Sequence, residues 1–573
     1  MQHRDNAPNA SGLQIAARSH GSETSIAGRT QRGRYSQLNR PSRQNQRQSS
    51  HSYHSQRSQG YASDRRILNP YESGSANEHN LRDYGRVLTE ERYEQPHQSV
   101  GFWDHKLSKV RAHVLILWAR TIIVLMLFVF AVLSLYWGVL YDMKGRLRAL
   151  EVHVVDFDGQ VAPYGNVTPI VGPAMTQLTL QMYKSSQPSL GYHNIPPAEY
   201  NYDPIAVRRG VYDWHAWAAI IINPNATALL FEAVIIGNAS YDPTGAIQYI
   251  VQSARQETTT YNYILPQLEL ITSRFTSQFG ANWSRILTNN SFSPQVIARS
   301  PAAMNPGIIP LHIDLRPFGP STATPAVSIG LIYLIIVAFF SFSFFLPIHT
   351  KYIQPQGHPP LHFWQLIVWR WLATVVLYLL ISLVYSLVSF AFHVPFLPPP
   401  APATDVAFNA TAYGRASLVV YWALNFAGMT ALGLACENAA MVLGQPWTAL
   451  WLVFWVITNV STAFYSLELA PAFFRWGYAW PLHHVVQASR QILFDLRSEV
   501  GLHFGVLIAW IAVDTALFPL CCYFMRRRAE NEQRDAERSK DRYVVRTTEG
   551  DMEMPKRVGD KPPQLRRGFM RGI

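Results

Sequence analysis

The chain has 573 residues, a formal net charge of +12 and a mean hydropathy of −0.01, which averages two unlike halves. The excess positive charge lies in polar tails beside apolar runs, which favours anionic lipid as a partner and argues against nucleic acid. The three cysteines, Cys436, Cys521 and Cys522, lie within or at the edge of apolar runs. This excludes a disulfide framework in the polar middle of the chain and any Cys-based zinc or redox motif. We expect no cofactor.

The N-terminal segment is polar and irregular. Residues 1–98 are rich in Ser, Gln, Arg and Asn and show no apolar periodicity. A segment of this composition buries too little apolar surface to offset the entropy cost of ordering. We therefore predict a disordered, basic cytoplasmic tail over residues 1–113.

The first long apolar run covers residues 121–140 and contains no charged residue. A helix of that length, rising about 1.5 Å per residue, crosses roughly 30 Å of hydrocarbon. Tyr136, Trp137 and Tyr141 form an aromatic belt at its end. We predict a transmembrane helix over residues 114–140 that acts as a signal anchor.

A polar stretch of domain size follows, residues 141–325, and the pattern predicts an extracytoplasmic α+β domain. Residues 150–158 and 218–222 read as strands, and residues 260–275 carry apolar side chains at helical spacing. N-glycosylation sequons are concentrated in this stretch, which favours an extracytoplasmic location. These sequons begin at Asn166, Asn225, Asn238, Asn282 and Asn289. A sixth, at Asn409, falls in a later loop that the same orientation places outside.

Five further apolar runs form a predicted membrane domain over residues 326–525. They cover residues 326–345, 371–392, 417–443, 447–466 and 504–524. The fold class is therefore a polytopic α-helical membrane protein with six transmembrane helices, one plus five. An even number of crossings puts both termini on one side, and the basic cluster 526–528 places that side in the cytoplasm. Residues 526–573 become a charged cytoplasmic tail.

The chain shows no phosphate-binding loop, zinc-protease motif, nucleophile elbow or dinucleotide fingerprint, so we predict that it is not an enzyme. Three polar residues inside apolar runs form a candidate intramembrane polar site: Glu437, Asn438 and Asp514. A carboxylate in hydrocarbon costs about 2.5–3.5 kcal/mol, so it faces protein or water, or is protonated. A polar or proton-linked pathway and a packing role through interhelical hydrogen bonds are both open.

Two aromatic segments make a candidate interface motif. In residues 361–370, Trp364 and Arg370 suit a helix lying in the membrane interface; an over-long third span with a snorkelling arginine is the alternative. Residues 469–494, which include Tyr478 and Pro481, suit a re-entrant or interface-lying helical pair. The adjacent histidines at 483 and 484 favour a solvated pair over a metal site.

Three segments carry a family resemblance: VVDFDG at residues 154–159, FWQLIVWRW at residues 363–371 and FFRWGYAWPLH at residues 473–483. Together with the one-plus-five layout, they resemble the fungal nitrosoguanidine-resistance membrane proteins over roughly residues 103–528. More distantly, the layout is similar to bacterial phage-infection proteins and to membrane subunits of ABC exporters. The resemblance implies a multi-pass protein of the plasma membrane or secretory pathway, tied to tolerance of toxic compounds and to lipid state. It implies no catalytic residue.

These observations favour a membrane protein that promotes resistance to toxic compounds by exporting or redistributing small molecules or lipids. The alternative is a non-transporting membrane scaffold or organiser of lipid stress. The expected partners are membrane lipids and a small-molecule or lipid substrate, and a homo-oligomer is compatible with both hypotheses.

Overall fold

A computed structural model of the chain describes residues 99–290, 293, 295, 298–305, 307–352, 359, 361–396, 406, 413–444 and 446–550. The predicted disordered tail up to residue 98 and the sequon at Asn409 lie outside the described residues. So does most of the C-terminal charged tail, from residue 551 onwards. The numbered elements below are the strands and the helices of seven or more residues.

The first helix, α1 (Ser108–Val139), covers the predicted span apart from residue 140. It begins inside the segment predicted to be disordered, residues 1–113, so that prediction is wrong over residues 108–113. Most side chains of α1 are exposed on the protein surface, including Phe130, which is 78% exposed. An apolar helix that is exposed on nearly all sides is stable in lipid and not in water. A 3₁₀ segment, Lys144–Ala149, connects α1 to a folded domain.

The folded domain is built on a five-stranded mixed sheet with the strand order β2-β1-β3-β4-β5. Its strands are β1 (Glu151–Asp156), β2 (Gly191–Ile195), β3 (Ala218–Ile222), β4 (Ile247–Val251) and β5 (Leu311–Asp314). Its helices are α2 (Val171–Lys184), α3 (Pro204–Tyr212), α4 (Ala226–Glu232) and α5 (Leu265–Asn289). The β3–β4 pairing is antiparallel and the other three pairings are parallel. The predicted strands at 150–158 and 218–222 are confirmed, and the predicted helix at 260–275 continues to Asn289.

Helices cover both faces of this sheet because its central strands are apolar on both sides. All five residues of β3 are buried. In β1, Val152 and Val154 pack in the cluster that includes α2 and α5, whereas Val155 packs with α3 on the opposite face. This alternation follows the two-residue period of a strand.

The helices after the folded domain are α6 (Ile332–Thr350), α7 (Phe363–Ala391), α8 (Ser417–Leu443), α9 (Trp447–Ala463), α10 (Pro481–Phe494) and α11 (Val500–Gly550). In the described part of the chain, five helical stretches are long and apolar enough to span a membrane: His105–Val139, Ser321–His349, Phe363–Ala391, Gly414–Leu443 and Val500–Ser539. The fourth predicted span of the membrane domain, residues 447–466, is the helix α9, a shorter apolar helix of 17 residues.

The helix α8 is the centre of the membrane domain and packs against α6, α7, α9, α10 and α11. Eighteen of its 27 residues are buried. Small residues allow this close approach: a Cβ atom on Gly433 would lie 2.6 Å from the ring of Tyr378 on α7. Close packing of helix backbones is a main source of stability between apolar helices.

Two of the expected interface helices are not present in that form. Residues 363–370 continue directly into α7, so the segment is the first two turns of one long helix and not a separate interfacial one. The helix α10 buries 13 of its 14 residues against other protein elements, so it does not lie on the surface of the bilayer. Its sequence contains polar side chains that find protein partners, which is why it tolerates enclosure.

Candidate functional site

An intramembrane polar cluster lies where α7, α8 and α11 meet. It consists of Arg370 and Thr374 on α7, Glu437 and Asn438 on α8, and Asp514 on α11. The Arg370 Nη2 atom lies 2.8 Å from Glu437 Oε1, and these side chains are only 3% and 5% exposed. The Thr374 hydroxyl donates to Glu437 Oε2 at 3.1 Å. One oxygen of the buried Glu437 carboxylate is therefore paired with a cation, and the other accepts a hydrogen bond from a neutral hydroxyl.

The cluster brings the three predicted polar residues together, although as two separate contacts. Asn438 Nδ2 donates to the Asp514 backbone oxygen at 2.9 Å and approaches Asp514 Oδ1 at 3.4 Å. Glu437 points instead to α7 because consecutive helical side chains diverge by about 100°. Arg370, which the sequence associated with the membrane interface, belongs to this site.

Hydrogen bonding in the cluster is incomplete. Three of its buried polar atoms have no hydrogen-bond partner among the described residues: Arg370 Nε, Asn438 Oδ1 and Asp514 Oδ2. Most buried polar side-chain atoms in folded proteins are paired, so each such atom indicates a place for water, a proton or a ligand. A cavity of about 10 Å³ adjoins the ion pair, lined in part by His349, Arg370 and Glu437. It has room for about one water molecule, so a larger guest requires the helices to separate.

The residues of the candidate interface motif do not form one site. Trp364 is 64% exposed near the start of α7, in a position that contacts lipid when the helix is in a membrane. Arg370, six residues later, is buried and paired, so the alternative is right about the over-long helix and wrong about the snorkelling arginine. Tyr478 is half exposed, and Pro481 is the buried first residue of α10. The two pairs therefore belong to different regions of the fold.

The adjacent histidines are buried rather than solvated. His484 Nε2 contacts the Tyr478 carbonyl oxygen at 2.8 Å, so this nitrogen donates. The amide of Gln491 is oriented because its oxygen accepts from the Glu499 N–H at 2.8 Å, so its nitrogen donates to His503 Nε2 at 3.0 Å. His503 Nδ1 then donates to His484 Nδ1 at 2.9 Å. The chain of hydrogen bonds is complete when each imidazole carries a single proton and no charge.

Burial is the main reason that these histidines stay neutral. It lowers the pKa of His484, and it lowers the pKa of His483 to about 4. Within the described part of the chain, no group of three or more His, Cys, Asp or Glu residues is placed to hold a metal ion.

Buried ion pairs join the folded domain to the membrane domain, and sequence reasoning missed them. Glu257 accepts from Arg490 Nη2 on α10 at 2.8 Å. Arg316 contacts Asp495, just after α10, at 2.9 Å. The partners in these pairs are separated by more than 170 residues, so no local pattern indicates them.

The five described sequons lie in the folded domain. The asparagines Asn166, Asn238, Asn282 and Asn289 are exposed, and Asn225 is partly buried. The hydroxyl of Thr227, which completes the sequon of Asn225, is fully buried and donates to Asp158. Exposure at four of these positions leaves room for attached sugar.

Long apolar helices around a polar cluster, together with a folded domain, define a multi-pass membrane protein. The chain belongs to a family of proteins of unknown function, DUF3533, whose model matches residues 121–516. It is similar to an uncharacterized endoplasmic reticulum membrane protein of Saccharomyces cerevisiae. The two are 27% identical over 466 residues, which cover 78% of this chain and 87% of the yeast protein. No solved structure matches the chain.

Proposed function

We propose that this protein promotes resistance to toxic compounds by exporting or redistributing small molecules or lipids through its membrane domain. One observation carries the proposal: the buried polar cluster of α7, α8 and α11 contains three polar atoms without a hydrogen-bond partner in the described part of the chain. Polar and ionisable groups inside a membrane domain are costly and commonly mark a transport pathway. The link to toxic compounds rests on the resemblance to the nitrosoguanidine-resistance proteins.

The resting geometry supports a gated pathway over an open pore. The cavity beside Arg370 and Glu437 holds about one water molecule. A substrate enters only when α6 and α7 move apart, which exposes the ion pair to one side of the membrane. Alternating exposure of a buried polar site is how many transporters work without an open channel.

The proposed topology has six crossings with both tails in the cytoplasm. Arg528 Nη1 donates to the Leu443 oxygen at 2.9 Å, so the end of α8 lies beside the part of α11 that directly follows its apolar run. Directly after α9, the Phe464 oxygen accepts from Gln256 of the folded domain at 2.7 Å. The helix α9 therefore runs from the far side back to the folded domain. Its 17 residues extend about 25 Å, at the short end of the range for a transmembrane helix.

The proposed location is the secretory pathway or the plasma membrane, with the folded domain on the lumenal or outer side. The endoplasmic reticulum location of the yeast relative and the exposed sequons support it. Asn282→Gln should remove one glycan and increase mobility on a gel, whereas Ser277→Ala on the same helix should change nothing. Absence of glycans at all five sites, together with digestion of residues 141–325 by a protease added to the cytoplasmic side of sealed vesicles, would contradict this orientation.

Reconstitution tests the transport function. The purified chain goes into liposomes that contain a tail-labelled fluorescent lipid, and dithionite quenching reports movement between leaflets, with and without a proton gradient. A fluorescent amphipathic cation is tested in parallel. We expect flux with the wild type and a loss of at least about tenfold in Arg370→Met/Glu437→Leu, which keeps the packing and removes the charges. The matched control is Arg526→Met/Glu530→Leu, an exposed pair on α11 with the same charges.

The alternative is a membrane scaffold that changes tolerance without moving a substrate. Flux at the level of empty liposomes for every probe, with folded protein, favours the scaffold. Wild-type flux in the variant without the Arg370–Glu437 pair leaves transport standing and excludes this cluster from it.

A further inference from the structure

A second cavity lies where the folded domain meets the membrane helices, and we name it the junction cleft. Its volume is about 320 Å³, within the range of small-molecule sites. Residues of the folded domain and of the membrane domain line it together, including Trp214, Trp217, Arg255, Glu468, Tyr478 and Leu502. It is separate from the intramembrane polar cluster.

The cleft lies at the level where the apolar helices end. The segment at Glu468 follows the end of α9, and Leu502 lies in the first turn of α11. Leu502 is 61% exposed, and Trp137 and Tyr141 at the end of α1 are 68% and 71% exposed. Exposed aromatic residues at a helix end mark the membrane–water interface. The cleft therefore opens at the depth of lipid headgroups.

Arg255 is the distinctive residue of the cleft. Its guanidinium carbon lies 3.7 Å from the ring centroid of Trp217 and 5.1 Å from that of Trp214. In the described part of the chain, its side chain makes one hydrogen bond, from Nη1 to the Ala216 oxygen at 3.0 Å. A guanidinium has five N–H donors, so most of them remain available to a ligand.

The other arginines enclosed in this fold show what Arg255 lacks. Arg316, Arg370 and Arg490 each contact a carboxylate at 2.8–2.9 Å. Among the described residues, no carboxylate lies within ion-pair distance of Arg255. Burial lowers the pKa of Arg255 to about 10, so the side chain is still a cation at neutral pH. A partly enclosed cation without a bound counter-charge is a site for an anion.

The remaining charges around the cleft compete only weakly for this cation. Glu468 accepts from the Ser466 hydroxyl, and Glu499 is paired with the exposed Arg497 at 3.3 Å. His484 and His503 also line the cleft, and their hydrogen-bond chain keeps them uncharged. Glu468 acts on Arg255 through space, so it opposes the entry of an anion without blocking it.

We propose that the junction cleft binds a phosphate group through Arg255, with the indole faces of Trp214 and Trp217 holding the guanidinium in position. The planar fork of arginine matches phosphate oxygens in pairs, and Trp stacking fixes its orientation before binding. Two sources carry this chemistry at such a location: the headgroup of a phospholipid and free phosphate. The proposal does not depend on transport, since binding is its readout.

Calorimetric titration of the full-length chain in maltoside micelles tests the site. The probes are dihexanoyl phosphatidic acid, dihexanoylglycerol with the same tails and no phosphate, and inorganic phosphate. We expect phosphatidic acid to bind at least about tenfold more tightly than the glycerol, because only the phosphate accepts charge-assisted hydrogen bonds from Arg255. Phosphatidic acid that binds at least about tenfold more tightly than inorganic phosphate identifies a lipid source. Equal affinity for the two identifies free phosphate.

Some variants are expected to weaken phosphate binding and one to tighten it, and misfolding does not produce both results. Arg255→Gln should weaken phosphate binding about 20-fold, and Arg255→Lys, which keeps the charge and loses the fork, about fivefold. Glu468→Gln should tighten it about threefold because a like charge is removed. Arg497→Gln is the matched control for loss of a nearby cation and should change affinity less than about twofold.

The proposal is overturned by any of three results. The first is equal binding of the glycerol and the phosphatidic acid. The second is no binding of either phosphate probe to folded wild-type protein. The third is wild-type affinity in both Arg255→Lys and Glu468→Gln, which would make Arg255 a structural residue.

Discussion

Replacing Arg370 by methionine leaves the Glu437 carboxylate buried between α7 and α8, with the Thr374 hydroxyl at 3.1 Å as its remaining partner. Removing one partner of a buried ion pair costs about 3–5 kcal/mol because the other charge stays enclosed and unpaired. Glu437→Leu leaves the Arg370 guanidinium in the same position and should cost a similar amount. Each single variant is therefore expected to unfold far more easily than the wild type.

The double variant Arg370→Met/Glu437→Leu should behave differently. Both charges are gone, and apolar side chains of similar length fill the space between the helices. Such replacements are commonly neutral or stabilising, so we expect a stability within about 1 kcal/mol of the wild type or above it. The free-energy cost of the double variant is then several kcal/mol smaller than the sum of the two single costs, and this difference measures the coupling between the two side chains.

The measurement is equilibrium unfolding of the purified chain in mixed micelles, followed by tryptophan fluorescence, for the wild type, both single variants and the double. The exposed pair Arg526–Glu530 supplies the control cycle, with an expected coupling of only about 0.3–0.5 kcal/mol. The expected coupling is contradicted if each single variant loses less than about 1 kcal/mol of stability, or if the loss in the double variant equals the sum of the two single losses. Either result means that Glu437 is not held by Arg370 in the folded protein.

Three further predictions concern other parts of the fold. Asp158→Ala should destabilise the folded domain by about 3 kcal/mol or more, because this buried carboxylate accepts hydrogen bonds from the Gly172 N–H and from the N–H and hydroxyl of Thr227. Hydrogen exchange of the backbone amides at the start of α2 measures this loss of stability. Burial raises the pKa of Asp156 to about 6, so the proton on this carboxyl stabilises the folded state fully below about pH 4, and this stabilisation is lost as the pH rises through 6. In thermal unfolding, Asp156→Asn should be more stable than the wild type at about pH 7 and equal to it near about pH 3.5. Gly433→Val should cost about 1–3 kcal/mol or more by forcing α7 and α8 apart, whereas a wild-type melting temperature would show that the helices have room to move.

Much of the fold was predictable because two physical signals are local. A bilayer demands long apolar helices, so composition alone located α1, α6, α7, α8 and α11. A central strand buried on both faces needs a continuous apolar run, and this located β3. The strands β2 and β5 carry histidine and exposed positions, so neither alternation nor an apolar run marked them.

The candidate polar site was only half predictable. Glu437, Asn438 and Asp514 stood out because acidic and amide side chains are rare in apolar runs. Arg370 was assigned to the interface, since nothing in its neighbourhood indicates a partner 67 positions away. The same holds for Arg255: among the described residues, no carboxylate lies within ion-pair distance of it, and only the folded arrangement reveals this.

The amino-acid sequence alone is enough to establish that this chain crosses a membrane several times and carries a mixed folded domain, because hydrophobic length and periodicity act within a single helix or strand. The packing of the folded chain sets which charges neutralise each other, which histidines are enclosed and where the cavities lie. Those outcomes depend on contacts between residues far apart in the chain, and the free energy of a buried charge is set by the groups that the fold places around it.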